Sequence, residues 1–133
     1  MKNDRLLNAI TNNLYENEIL EEMATIGKYG KYTYRIYGNE GNIPHFHILK
    51  DNETIQCVRL DEPKYFTHNG KYTYTLNKKE RTDLIDFLNE KHFDKYDITN
   101  WEYVVSQWNL ENNKYIVSDD LQMPDYTKLK LDK

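Results

Sequence analysis

The chain has 133 residues, a formal net charge of -4 at pH 7, one cysteine and 12 tyrosines. That length fits one domain, with a core large enough to need no disulfide or metal staple. The single Cys57 excludes an internal disulfide, the lack of a long apolar run excludes a membrane-spanning helix, and the acidic balance excludes a global basic footprint for nucleic acid. No signal-peptide pattern opens the sequence, so a reducing cytoplasm is the expected location. Lys28, Lys31 and Arg35 leave room for a local basic patch.

In chain order, Asp4 to about Met23 predicts a helix. Leu6, Leu7, Ile10 and Leu14 recur at helical spacing, and Ile19, Leu20 and Met23 continue the pattern. Asn3 or Asp4 can cap its start. Lys31 to Tyr37 alternates with period two and predicts a strand, which "GNEGN" then breaks. His45 to Lys50 and Thr54 to Leu60 predict a hairpin about Asp51-Asn52. In a regular two-residue register, Ile48 faces Ile55 and Phe46 faces Cys57 on the buried side. His47 then pairs with Gln56, and His45 with Val58, on the other side. "YFTHNGKYTY" predicts a second hairpin, because Asn69-Gly70 tolerates the positive φ of a type I′ turn. The word "GKYTY" stands at both 30–34 and 70–74 and is read as two similar strands.

Asn77 to His92 predicts a second helix, with Leu84, Ile85 and Leu88 on its apolar stripe. Thr99 to about Asn112 predicts a third. Thr99 and Glu102 match a capping box, and Trp101, Val104, Val105 and Trp108 form a buried stripe. Strands grouped between flanking helices predict an α+β fold: an antiparallel sheet of about five strands with one N-terminal helix and two C-terminal helices. Residues 1–113 form the domain, and 114–133 form an extended C-terminal tail.

The chemistry concentrates in "GNIPHFHI". His45 and His47 are two apart, so on a strand they share a face and can reach one ligand. With Gln56 and Arg35 they form a candidate partner-binding or anion-binding set. They are also candidate ligands for a divalent metal, for which a third donor is required. Glu40, Glu53, His68 and His92 are the candidates, none at a diagnostic spacing. No resident cofactor is otherwise expected. Cys57, mid-strand on the predicted buried face, reads as a small hydrophobe rather than a nucleophile. A two-histidine phosphoesterase needs a second motif to supply the other acid or base, and "THNG" at 67–70 is a poor copy.

"YGNEGNIPHFHI", the hairpin that follows, the Leu-rich helix and "TNWEYVVSQWN" together resemble the bacterial family called domain of unknown function 4160, over roughly residues 32 to 110. Pro44, His45 and His47 fall on that family's Pro-His-x-His strand, while Ile43 stands where the family often has a first proline. Trp108 and Asn109 resemble the end of its last helix. The resemblance implies a small α+β protein found beside toxin–antitoxin partners. The first expectation is therefore a cytoplasmic, non-enzymatic binding protein of the toxin–antitoxin or mobile-element class. A protein partner is expected, nucleic acid stays open, and no membrane is involved. The alternatives are a metal-dependent or histidine-based hydrolase of nucleotides or nucleic acid, and a phage-type inhibitor of a host or defence protein. Three or more ligands converging on His45 and His47 would favour chemistry over binding.

Overall fold

The computed structural model describes residues 23–92 and 97–130. The expected N-terminal helix lies outside them, except for Met23, which opens a strand instead. The described residues form an α+β fold. One antiparallel sheet holds β1 (Met23–Tyr29), β2 (Tyr32–Tyr37), β3 (His45–Lys50) and β4 (Glu53–Arg59), in the order β1-β2-β3-β4. Two helices follow, α1 (Lys78–Asn89) and α2 (Asn100–Glu111), and then a 3-10 turn at Tyr126–Lys128. No helix among the described residues is long and apolar enough to cross a membrane.

The sheet has four strands where five were expected, and two corrections account for the difference. β1 is a strand the sequence pattern hid, because Met23 also extends the helical spacing of Ile19 and Leu20. The Asn69-Gly70 segment is not a strand hairpin. His68, Asn69 and Gly70 take φ values of 52, 59 and 86° in succession. A type I′ turn uses only two such residues. The result is a wider loop, closed by Tyr72 N–H donating to the Thr67 carbonyl at 3.0 Å. It begins at an isolated bridge between Tyr65 and Val58, and Phe66 N–H donates to the Cys57 carbonyl at 2.9 Å. On the return, the Gln56 amide donates to the Tyr74 carbonyl at 2.7 Å. A side chain thus takes the place that a strand would fill along β4.

Tyr34, Phe46, Ile48 and Val58 build one sheet face into the core, together with Leu84, Phe87 and Leu88 of α1 and Val104, Val105 and Trp108 of α2. Tyr34 stacks on Phe87 with ring centroids 4.6 Å apart. That approach needs Gly27, where a Cβ would lie 3.0 Å from two carbons of the Phe87 ring. A register shift beside it leaves Ile26 unpaired between Thr25↔Arg35 and Gly27↔Tyr34. The chain after Glu111 is extended and joins the core. Tyr126 is fully buried, and its hydroxyl donates to the Arg59 carbonyl at 2.5 Å. Trp101 Nε1 donates to the Leu121 carbonyl at 2.8 Å.

Both helices start at capping boxes, Asn77 with Glu80 and Thr99 with Glu102. Each box satisfies two backbone N–H groups that a helix start leaves open. Glu80 does more than cap, because its carboxylate also accepts from the Tyr32 and Tyr74 hydroxyls. Burial alone would raise its pKa, but these hydrogen bonds and the Asn77 backbone outweigh burial and hold it below the ordinary value of 4.5. A carboxyl depressed in the folded state contributes stability that is present above its unfolded value and lost as pH falls through its folded value. Glu80→Gln is therefore expected to lower the urea midpoint at neutral pH, with the gap to the parent closing below pH 4.5. A gap that stays constant down that acid limb would show that the Glu80 charge contributes nothing.

Candidate metal centre

β3 carries His45 and His47 on one side and Phe46 and Ile48 on the other. The side bearing the histidines is not open to water. His45 is 1% exposed and His47 is 6% exposed. Two loops cover them, one after β2 with Glu40 and one after β4 with Phe66 and His68.

The register of β3 against β4 decides the rest. Lys50↔Glu53 and Leu49↔Thr54 pair as the two-residue turn requires. The register then shifts by one, Ile55 is left unpaired, and Ile48 faces Gln56. A one-residue slip moves every later side chain to the opposite face. Cys57 now lies opposite His47, not opposite Phe46 as expected. Gln56 is carried to the Phe46 side, fully buried, and spends its amide on the Tyr72 and Tyr74 carbonyls. It leaves the candidate site for that reason.

His45, His47, Cys57 and His68 converge, each offering one ligand atom, with these atoms all within 4.8 Å of one another. The His45 and His68 ring centroids are 5.0 Å apart, and those of His47 and His68 are 5.6 Å apart. The His45 ring also touches Phe66 and Trp108. His47 and His68, with Glu40, Thr54, Lys71 and Tyr72, line an open cleft of about 410 Å³. His45 and Cys57 lie beneath it.

Hydrogen bonds fix which atoms are available. His45 Nδ1 is 2.7 Å from the Ile43 carbonyl, which can only accept, so Nδ1 carries a hydrogen and Nε2 faces the cluster. A carbonyl behind the ring in this way fixes the tautomer and orientation of a metal-ligating histidine. His68 Nε2 is buried with no hydrogen-bond partner among the described residues. His47 is already engaged at both nitrogens, Nδ1 with the Thr54 hydroxyl at 3.0 Å and Nε2 with the Glu40 carboxylate. Glu40 also sits 3.4 Å from His45 Nε2.

Burial pushes the Glu40 carboxyl up, but the neighbouring His45 and the hydrogen bond from His47 prevail and hold it well below the ordinary carboxylate range. Burial pulls His47 down despite Glu40, and burial with the nearby His45 pulls His68 down. Neutral imidazoles are the ligating form. Burial pushes the Cys57 thiol far up, so in the bare site it is a thiol. A bound metal ion reverses that preference, since a coordinating thiol is deprotonated outright. Nitrogen and sulfur donors in this mixture suit zinc and its neighbours. Nitrogen and sulfur donors on a tetrahedral zinc lie about 3.3–3.6 Å apart, so this set needs to close by about 1.5 Å at most.

The other predicted residues fall elsewhere. Arg35 pairs with His47 across β2 and β3, but its Nε donates to the Thr25 hydroxyl at 3.2 Å, and it does not line the cleft. Glu53 is exposed at the hairpin tip. His92 stacks on Tyr103 at 3.6 Å and meets Asn100, outside the cluster. Sequence reasoning missed Thr54 and Lys71. Thr54 lies opposite Leu49, on the histidine side, in the expected register as well as the observed one, so period-two spacing could have found it. No family model matches the chain, and neither a curated protein nor a solved structure matches it.

Proposed function

We propose that the cleft is a zinc-class metal centre that hydrolyses a phosphate ester. The observation that carries this reading is the convergence of His45, His68, Cys57 and His47 within 4.8 Å at the floor of an open cleft. His45 Nε2, His68 Nε2 and Cys57 Sγ are the ligands, because His47 is held by Thr54 and Glu40. A zinc-class ion held by these three donors would supply a water acidified to near neutral pH, as catalytic zinc sites do. Glu40, kept ionised and oriented by His47, takes the proton as the new O–P bond forms and returns it to the leaving oxygen.

The test is metal analysis after zinc loading and dialysis, alongside hydrolysis of bis(p-nitrophenyl) phosphate. The parent is expected to retain one equivalent. Cys57→Ser and His68→Ala are expected to lose it. Glu40→Gln removes the proton acceptor and is expected to retain zinc while losing roughly 10²–10⁴-fold in rate. A parent that retains no zinc, or a Glu40→Gln variant as active as the parent, overturns the reading.

A second reading is a cytoplasmic macromolecule-binding protein of the toxin–antitoxin or mobile-element class, with a protein or nucleic-acid partner. It draws on the resemblance to the domain of unknown function 4160 family. The structural observation in its favour is the exposure of Leu110, Tyr115 and Ile116 around the end of α2, where Ile116 is 67% exposed.

A further inference from the structure

We propose that Lys71 makes the mouth of the cleft a phosphoryl subsite, which holds the anionic oxygens of the ester beside the metal position. This deepens the metal-centre reading and rests on it. Lys71 follows the ligand His68 by three residues, through the left-handed turn at His68, Asn69 and Gly70. Its N–H donates to the His68 carbonyl at 3.3 Å, so the turn that positions the ligand also positions the lysine. Its Nζ lies 5.4 Å from the Tyr72 ring centroid, against one wall of the cleft. A cation over an aromatic face is attracted by the ring quadrupole, which keeps the ammonium near the wall.

Lys71 makes no ion pair among the described residues. Glu40, the carboxylate that lines the cleft, is engaged by His45 and His47. The cleft lining therefore carries one carboxylate, Glu40, and one cation, Lys71, and the Lys71 charge bears on His47, His68 and Cys57. An ammonium offers three donors from one point. A phosphoryl group presents oxygens in several directions, so one can face the metal while another accepts from Lys71. A carboxylate has only two oxygens, in one plane, and serves both positions less well. Lys71 is exposed, so replacing it leaves the core untouched.

The experiment uses the full chain loaded with cobalt(II) and titrated with inorganic phosphate and, separately, with acetate at constant ionic strength. The visible cobalt bands report ligand entry. The parent is expected to bind phosphate more tightly than acetate. Lys71→Gln is expected to keep the same cobalt spectrum and to bind phosphate roughly tenfold more weakly or worse, the loss of one charge-assisted contact. Equal phosphate affinity in the two proteins overturns the subsite, and acetate binding as tightly as phosphate overturns its phosphoryl assignment. If the parent holds no cobalt, the metal-centre reading fails by that result alone. Phosphorus NMR titration of the metal-free parent and variant then decides the subsite, which stands only if phosphate binding still depends on Lys71.

Discussion

Replacing Trp108 with alanine is expected to cost roughly 3–5 kcal/mol of folding stability, the usual loss for a large buried aromatic. Trp108 is fully buried on the face of α2 that also carries Trp101, Val104 and Val105. Its Nε1 donates to the Tyr115 carbonyl at 2.9 Å, which anchors the chain leaving the helix. Truncation removes the ring, leaves a cavity the neighbours fill only in part, and strands that carbonyl. The same ring lies 5.5 Å from the His45 ring, so the cavity opens directly behind a metal ligand. A second effect is therefore expected: the variant, where still folded, should hold zinc more weakly than the parent. Chemical denaturation and metal titration of the same preparation read both. A variant that melts within a few degrees of the parent would mean the indole contributes little to the core, and would remove the link between α2 and the site.

The two C-terminal helices were legible because their signals are local. Asn77 with Glu80 and Thr99 with Glu102 are three residues apart, and the apolar stripes repeat within one element. What was not legible depends on neighbours distant in sequence. The word "GKYTY" shows this directly. At 30–34 it turns at Gly30 into β2, where Tyr32 and Tyr34 pair with strands on both sides. At 70–74 the same five residues form no strand, because the edge of β4 offers them only the Gln56 side chain. Identical local propensity gives two conformations once the available partners differ.

The candidate site was half legible for the same reason. Period-two spacing places His45 and His47 on one face, and Glu40 and His68 stood among the candidate third donors. No spacing marked those two as the right ones, since successive left-handed residues at 68–70 set the path of His68 and a turn at Asn39, φ 56°, precedes Glu40. Cys57 was assigned to the wrong face because the register shift at Ile55 has no sequence signature here. Bulges re-aim side chains and recur next to active sites. Without this one, the cluster would have Gln56 where it has a thiol.

Changing both His45 and His47 to alanine is expected to remove two contributions that chelation can separate. The first is structural and belongs to the metal-free protein. His45 donates to the Ile43 carbonyl, and His47 joins Thr54 to Glu40. Deleting both rings leaves a half-buried carboxylate and a hydroxyl short of partners, at about 1–3 kcal/mol. The second is linkage. A metal that binds only the folded chain stabilises it by about 4 kcal/mol when present at a thousandfold excess over its Kd. The zinc-loaded parent should therefore melt at a clearly lower temperature after chelator is added. The double variant should start below the chelated parent, and its melting temperature should not move with chelator, because His68 and Cys57 alone make a poor site. Thermal melts of both proteins, with and without chelator, give four values that fix the two contributions. If the parent ignores chelator after zinc loading while the double variant still loses stability, the two histidines are structural, and the cleft holds no metal. If the double variant melts with the chelated parent, the rings contribute only through the ion.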